Sequence, residues 1–578
     1  MNAERLLVQY EQIADAPDAI DRLRRLIRDL AVRGKLVPQD AKDEPAVELL
    51  KRIAVERDEL VKKKEIRRED PLDPIQSTEM PFDVPPRWVW SRIGEAVLFT
   101  QYGTSQKSNP SEKGVPVLTM GNVQDGLVIW SNEKRIPETS EDLPALYLRK
   151  FDLLYNRTNS AELVGKTGIY LGEDGVRTFA SYLIRLRPSH KSTNPRFVNM
   201  AMNTPEFRKT QIIPLIKKQT GQANVNGTAL KKMVIPLPPL AEQHRIVAKV
   251  DELMGLCDRL EAARGSQEST RDRLAAASLA RLNAPDPETF QADARFVLGA
   301  LPALTTRPDQ IEQIRQTILG LAVRGKLVPQ DSNDQPAAKL MRQIAAQKEG
   351  SAEGAKIEGA EFQQDPLEQF ELPTSWQVIR LGDLLLSSFY GPRFGAYQYS
   401  AAGIPTIRTT DMTSDGRIVL RNPPRVIVPE DRLQGFRCLR GDLLVTRSGS
   451  IGTMAIFEAD YVAIPSAYLI RFRFSPFILV RYIYLSLKSP DGQEALGLGT
   501  TRVAQPNINA RSISAIPIRL PPLAEQHRIV AKVDALMALC DRLETNLTAT
   551  AATRGRLLDA LLAEALAPAA DNQREAAE

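Results

Sequence analysis

The sequence has few cysteines and no long apolar run, and each scarcity excludes a class of protein. Only three cysteines occur in 578 residues, Cys257, Cys438 and Cys540, which are too few and too far apart for a disulfide framework. No run reaches the roughly 18 apolar residues of a membrane-spanning helix. The first residues carry acids where a signal peptide would be basic and then apolar. We therefore expect a protein of the reducing cytoplasm that is neither exported nor inserted in a membrane.

The motifs of two enzyme classes that act on nucleic acids or nucleotides are also missing. An adenine methyltransferase needs a glycine loop for S-adenosylmethionine and an Asn-Pro-Pro-aromatic motif whose ring stacks on the flipped base. Here Asn422–Pro424 is followed by Arg425 and has no such loop before it, so we interpret it as a proline turn between strands. A phosphate-binding loop needs glycine or alanine first, and Ser160–Thr167 begins with serine. Neither site is expected in this chain.

Metal and thiol chemistry are disfavoured as well. The histidines are His190, His244 and His527, and none has cysteine or carboxylate neighbours at zinc-like spacing. Cys257 and Cys540 belong to an apolar helical stripe, where a thiol is typically a small buried hydrophobe. No metal, no cofactor and no catalytic residue is predicted.

Composition indicates a folded, modular protein. Hydrophobic residues make up 43% and charged residues 25% of the chain, as in globular proteins. A chain of 578 residues exceeds one ordinary core and should contain about three or four units. The net charge of +5 is mild for a protein that binds nucleic acid, so any surface that contacts phosphate must arise from local clustering.

A long internal repeat is the main feature of the sequence. The segment Leu237–Glu261 reads LPPLAEQHRIVAKVDELMGLCDRLE, and Leu520–Glu544 repeats it with changes only at Glu252 and Gly255. Repeats of this kind determine architecture and are sought first. The chain therefore contains two copies of one plan.

Other segments repeat with the same period, while the sequence between them diverges. LAVRGKLVPQD occurs at Leu30–Asp40 and at Leu321–Asp331. Weaker matches link segments that start at Val84 and Leu372 (with Trp88 and Trp376), Phe151 and Gly441, Ser181 and Ala467, and Gln222 and Gln505. The two halves thus share a frame and differ in their inserts, which is the pattern of one frame that presents two different readers.

The repeated segments are predicted to be helical. Helices from Ala241 and Ala524, each of about 40 residues and about 60 Å, have apolar residues at spacings of three and four. We expect their stripes to pack together as an antiparallel coiled coil that acts as a rigid spacer. Shorter helices over Arg22–Arg33 and Gln313–Arg324 should end at the glycine that follows each of them.

The inserts are predicted to be strand-rich. They contain short β-prone runs separated by Gly, Pro, Asn and Ser. The predicted fold class is α+β, with two strand-rich domains separated by long helices in a pseudo-two-fold repeat. The predicted segments are an N-terminal helical segment 1–69, a first strand-rich domain 70–237, a central helical spacer 238–364, a second strand-rich domain 365–520 and a C-terminal helical spacer 521–578.

Three features together resemble one family: RGKLVPQD twice, the Pro-x-x-Trp segments at Trp88 and Trp376, and PLAEQHRIVAKVD twice. The whole chain resembles the specificity subunits of type I restriction-modification enzymes. The resemblance implies a non-catalytic subunit whose two variable domains each recognise half of an interrupted site in double-stranded DNA. It also implies docking of two methyltransferase subunits on the helices, and of restriction subunits that act as nuclease and translocase. Those partners would bind S-adenosylmethionine and ATP.

Candidate DNA-contacting residues are polar or basic side chains on the strands and loops of the inserts. In the first insert they are Tyr102, Thr104, Ser105, Lys107, Arg157, Thr158, Lys166, Lys217, Lys218, Gln222 and Asn224. In the second they are Tyr390, Arg393, Tyr397, Arg408, Thr409, Arg447, Ser448, Arg502, Gln505 and Asn507.

Comparison of the two halves ranks these candidates. A residue that reads sequence should differ between domains that read different sequences, which favours Lys107, Arg393 and Arg408 for base contacts. The retained pairs, Gln222 with Gln505 and Asn224 with Asn507, are instead expected to form turns or to position phosphates.

Overall fold

The computed structural model describes residues 16, 18–110, 113–130, 133–219, 222–283, 288–349, 372–448, 450–498 and 507–566. The chain divides into two compact units, one formed by residues 1–266 with 551–578 and the other by residues 267–550. Each unit contains one strand-rich domain, and each receives part of both long helices. Within the described residues, no helix combines the length and apolarity needed to cross a bilayer.

The helices of the described residues include two of 44 residues each. In chain order the helices are α1 Ala19–Val32, α2 Ala46–Lys62, α3 Ile93–Ala96, α4 Leu143–Leu146, α5 Pro195–Met202, α6 Pro205–Phe207, α7 Gly227–Lys232, α8 Leu240–Asn283, α9 Phe290–Leu304, α10 Pro308–Val323, α11 Ala337–Glu349, α12 Glu430–Phe436, α13 Val480–Lys488, α14 Pro490–Leu498, α15 Ala510–Ser514 and α16 Leu523–Leu566. The long helices α8 and α16 begin directly after a Pro-Pro pair, as suits a helix start, and each is about 66 Å long.

The short helices α1 and α10 both end at a glycine, as the sequence predicts. Gly34 and Gly325 each have φ of +68°, a backbone conformation that favours glycine. A Cβ atom would also lie 2.5 Å from Pro85 Cγ at Gly34 and 2.7 Å from Pro373 Cγ at Gly325. The conformation and the close approach both require glycine here, which accounts for RGK in each copy of the repeat.

The first strand-rich domain is built around a sheet of order β2-β11-β7-β9-β5-β4, with smaller sheets β10-β3-β6, β12-β13-β8 and β1-β14. Its strands are β1 Val89–Arg92, β2 Phe99–Tyr102, β3 Val115–Leu118, β4 Val123–Gln124, β5 Leu127–Val128, β6 Arg135–Ile136, β7 Leu153–Asn156, β8 Thr158–Asn159, β9 Thr167–Ile169, β10 Thr178–Phe179, β11 Leu183–Arg187, β12 Lys217–Gln219, β13 Gln222–Asn224 and β14 Val234–Leu237.

The second domain repeats the central part of that sheet in the order β16-β22-β19-β20, beside sheets β18-β17-β21 and β15-β23. Its strands are β15 Gln377–Arg380, β16 Leu385–Tyr390, β17 Tyr399–Ile407, β18 Arg425–Val426, β19 Leu443–Thr446, β20 Met454–Ile456, β21 Ile464–Pro465, β22 Leu469–Phe474 and β23 Pro517–Leu520. The predicted α+β class, with two strand-rich domains and long helices, is confirmed.

Each domain starts and ends in one antiparallel two-stranded ribbon that leads to a long helix. β1 pairs with β14, with Val89 opposite Leu237, and β15 pairs with β23, with Gln377 opposite Leu520. The first and last strands of each domain therefore lie side by side next to the start of α8 or α16. This arrangement places both ends of the domain beside the start of its helix.

The apolar stripe at the start of each long helix is covered within its own unit. Ile246 of α8 is buried in a core with the end of α1 and the first domain. Ile529 and Val533 of α16 are buried in a core with α10 and the second domain. The spacing of the apolar residues predicts the other long helix as the partner of this stripe, and it does not reveal this contribution from the domain and the short helix.

Candidate nucleic-acid interface

A hydrogen-bonded junction fixes the first domain to α8. The Trp88 Nε1–H donates to Glu242 Oε2 at 3.0 Å, and the Gln39 amide donates to Glu242 Oε1 at 2.6 Å. One turn along the helix, Arg245 pairs with the buried Asp43 at 2.5 Å. Burial raises the pKa of the Glu242 carboxyl, while hydrogen bonds from Trp88 and Gln39 oppose the shift. The junction thus joins the loop after α1, the residue that precedes β1 and the first two turns of α8.

The second unit builds the same junction from the repeated residues. Trp376 donates to Glu525 at 2.9 Å and Gln330 donates to it at 2.5 Å, while Arg528 pairs with Asp334 at 2.5 Å. Burial again raises the pKa of the Glu525 carboxyl, against the hydrogen bonds that it accepts. The three repeated segments of the sequence are therefore parts of one junction, which gives each domain the same attachment to its helix.

Away from this junction, an arginine and a tyrosine form a cluster in the first domain. Tyr102 ends β2 and Arg157 directly follows β7, and the Arg157 Cζ lies 5.0 Å from the centroid of the Tyr102 ring. The Tyr102 hydroxyl oxygen accepts the Gly227 N–H at 2.6 Å, and the Arg157 Nη1 donates to the Ser181 carbonyl at 3.1 Å. The Arg157 carbonyl accepts the Val225 N–H at 2.9 Å. Segments distant in sequence are thus held at one place.

The second domain has the equivalent cluster. The Arg447 Cζ lies 4.9 Å from the centroid of the Tyr390 ring. The Tyr390 hydroxyl oxygen accepts the Ala510 N–H at 2.8 Å, and the Arg447 carbonyl accepts the Ile508 N–H at 2.9 Å. The pair is therefore retained with its attachments, although the outer loops of the two domains differ.

Strand pairing adds further predicted residues to these clusters. Thr158 pairs with Asn224 through β8 and β13, and its hydroxyl donates to Asn224 Oδ1 at 3.2 Å. Ser448 forms an isolated β-bridge with Asn507 in the second domain. In the first domain the structure therefore brings together the strands that carry Tyr102, Thr158, Lys217, Lys218, Gln222 and Asn224, with Arg157 beside them.

Two predicted residues are engaged inside their domains. Thr104 is 3% exposed and its hydroxyl donates to Asp142 Oδ2 at 2.9 Å. Arg408 donates through Nε and Nη2 to the buried Asp411 at 3.0 and 2.8 Å, and through Nη2 to the Arg421 carbonyl at 2.8 Å. These contacts close a tight turn, and they leave Arg408 fewer donors for a base than its sequence position suggested.

The other predicted residues are spread around the outer loops. Ser105 and Lys107 are exposed after β2, and Arg393 and Tyr397 are exposed after β16, with Tyr397 89% exposed. Lys166 and Thr409 are half-buried. Arg502 and Gln505 lie outside the described residues.

Sequence reasoning did not single out two exposed tyrosines beside the clusters. Tyr182 and Tyr468 are 48% and 64% exposed, and they precede β11 and β22. Their carbonyls accept the N–H of Arg157 at 3.1 Å and of Arg447 at 2.9 Å. The signal that would have found them is the repeat of YLIR, because a large aromatic side chain retained twice yet left exposed is typical of a contact surface.

Comparison with known proteins agrees with the duplication. The family described as "Type I restriction modification DNA specificity domain" matches residues 85–267 and 373–551. The "Type I restriction enzyme EcoEI specificity subunit" of Escherichia coli is 30% identical over 577 residues, which cover 95% of this chain and 94% of that protein. The EcoAI specificity subunit of Escherichia coli is 28% identical over 570 residues, with 94% and 93% covered. A crystal structure of the HsdS subunit from Thermoanaerobacter tengcongensis has a TM-score of 0.45 at 20% identity, over 85% of this chain and 99% of that chain.

Proposed function

The chain belongs to the type I restriction-modification DNA specificity family, and from this premise we propose how its parts divide the work of recognition. It is a DNA sequence-specificity subunit with two recognition domains. The domain predicted over 70–237 reads one half of a bipartite site in double-stranded DNA, and the domain predicted over 365–520 reads the other half. The long helices set the separation of the halves.

One observation carries this proposal: the two domains have the same junction and different outer loops. Trp88 and Trp376 make matching hydrogen bonds to Glu242 and Glu525 at 3.0 and 2.9 Å. The loop after β2 carries Ser105 and Lys107, whereas the loop after β16 carries Arg393 and Tyr397. Two domains with the same junction and different outer loops are suited to recognise different DNA sequences, because base contacts must differ where the bases differ.

Catalysis is proposed to come from partners in the cytoplasm. Two methyltransferase subunits would dock on the helical spacers, and restriction subunits would join them, while this chain supplies no catalytic group. Incubating the isolated full chain with labelled S-adenosylmethionine and DNA should give no methyl transfer. Transfer by the purified chain would overturn the non-catalytic assignment.

The direct test is a map of methylated sites in cells that carry this chain with the methyltransferase subunits of its system. We expect one bipartite motif with a fixed gap. Lys107→Ala should relax one half of the motif and Arg393→Ala the other half, with the gap unchanged. A continuous motif, or a single substitution that changes both halves, would contradict the division proposed here.

A further inference from the structure

We propose that Arg157 with Tyr102, and Arg447 with Tyr390, contact the sugar-phosphate backbone of DNA and position each domain independently of base sequence. This inference rests on the proposed function. It concerns how a domain is held on DNA rather than which bases it reads. Contacts to phosphate set register and orientation without carrying sequence information.

The first argument is that both pairs are rigidly fixed. Arg157 is held on both sides by its backbone, whose N–H donates to the Tyr182 carbonyl at 3.1 Å and whose carbonyl accepts the Val225 N–H at 2.9 Å. The hydroxyl of Tyr102 is held by the Gly227 N–H at 2.6 Å. A side chain in a preset position loses little conformational entropy when it binds.

The second argument is charge. Among the described residues, neither Arg157 nor Arg447 forms an ion pair with a carboxylate, and each guanidinium contacts a tyrosine ring instead. The Arg157 Nη1 donates to the Ser181 carbonyl at 3.1 Å, while Nη2 makes no hydrogen bond within the described part of the chain. Stacking on a ring leaves the remaining donor at the edge of the guanidinium available to a phosphate.

Other arginines of the same sheets show what a structural role looks like here. Arg187 pairs with the buried Asp152 at 2.6 Å, and Arg473 pairs with the buried Asp442 at 2.8 Å. Each of these domains therefore neutralises a half-buried arginine on β11 or β22 with an aspartate. Arg157 and Arg447 lack that arrangement, as is expected of groups whose anionic partner comes from outside.

The third argument favours contact with phosphates over contact with bases. The pair is retained with the same attachments in two domains whose outer loops differ, and the exposed Tyr182 and Tyr468 are retained beside it. A residue that reads bases would differ between the domains, whereas phosphates are the same in every sequence. The loops after β2 and β16 start directly after Tyr102 and Tyr390, so the variable tips lie next to the constant pair.

The test measures binding by the full chain with its methyltransferase subunits, over a series of salt concentrations. Two duplexes are compared, one with the bipartite site and one with both halves scrambled. Arg157→Ala and Arg447→Ala should each weaken binding to both duplexes by the same factor, about tenfold. Each should also lower the slope of log affinity against log salt by about 0.9.

Matched controls lie at the other end of the same strands. Lys150 precedes β7 and Arg440 precedes β19, and both are exposed. Lys150→Ala and Arg440→Ala should leave affinity and salt slope unchanged. Arg157→Lys, which keeps the charge, should retain the slope even if the loss of stacking lowers affinity, and this separates charge from a fold defect.

Three outcomes would overturn the inference: unchanged salt slopes in the alanine variants, loss of affinity for the bipartite duplex alone, or equal losses in the control variants. Failure of the proposed function gives a different result, because the unsubstituted chain would then bind the two duplexes equally. The alanine variants would still report on phosphate contact in that case.

Discussion

The two recognition domains are most alike where they meet the helices and least alike at the loops that follow β2 and β16. The junction repeats its hydrogen bonds within a few tenths of an ångström, from Trp88 to Glu242 and from Trp376 to Glu525. After a shared first glycine, Gly103 or Gly391, the loops differ in sequence, and they lead to strands of different length, since β17 runs for nine residues where β3 runs for four. A buried polar junction tolerates little change because each unpaired group costs free energy, whereas an exposed loop tolerates much.

The largest expected effect would come from disrupting the junctions, and it tests whether they are equivalent. Trp88→Ala and Trp376→Ala should each destabilise the unit that contains the residue by about 3–5 kcal/mol. The reason is that both side chains are buried, at 6% and 5% exposure, and both donate to a buried glutamate. Calorimetric unfolding of the two variants checks this. If only one substitution mattered, the junctions would not be equivalent.

A smaller effect, a dependence of stability on pH, should appear in the first unit alone. Asp29 lies on α1, and burial raises its pKa to about 6, against attraction from Arg33 and with repulsion from Glu206. The repeat places Gly320 at this position in α10. The Asp29 carboxyl binds its proton more tightly in the folded state than in the unfolded state. The contribution of Asp29 to the free energy of unfolding is therefore largest below about pH 4, and it falls as the pH rises through about 6.

Asp29→Asn removes that dependence. The variant should gain stability relative to the unsubstituted chain between about pH 4 and pH 6, by about 1–2 kcal/mol once solvent screening is allowed for. The difference should stay constant at higher pH. Chemical denaturation at several pH values measures it, with Asp21→Asn on the exposed side of α1 as the control. A difference that does not change with pH would contradict the assignment.

Much of the fold follows from local sequence, and most of the contact surface does not. The long helices could be predicted because helix formers recur at helical spacing without an internal proline. The meeting of Tyr102 and Arg157 could not, since it depends on the register of β2, β11 and β7. Arg408 shows that a contact between residues close in sequence can be missed as well. Its carboxylate partner lies three residues away, yet only the turn geometry reveals that its donors are occupied.

A still smaller effect concerns a turn that the two domains build with different residues. Before β7 the chain passes through φ of +75° at Phe151, and before β19 through φ of +90° at Gly441. Gly441→Ala should cost about 1 kcal/mol, because a Cβ atom is disfavoured at positive φ. Phe151→Gly should change stability little, since relief of the backbone is offset by loss of the ring contact with His190. Denaturant unfolding distinguishes these results.

The smallest expected effect is on the ion pairs that hold each short helix to a long one. Arg24 of α1 contacts Asp258 and Glu261 at 2.6 and 2.7 Å, and Arg315 of α10 contacts Asp541 and Glu544 at 2.7 Å each. The carboxylates are 40–70% exposed, so water and salt screen both networks. Arg24→Ala and Arg315→Ala should each cost under about 1 kcal/mol.

Those two costs should shrink together as salt increases, because the networks have the same geometry and similar exposure. Urea unfolding at low and high salt provides the measurement. A cost of several kcal/mol for one arginine, or a cost that salt does not change, would mean that packing of the side-chain stem holds the helix. The duplicated frame would then owe its rigidity to apolar contact at this position, and the retained charges would serve chiefly to select the pairing of each short helix with its long partner.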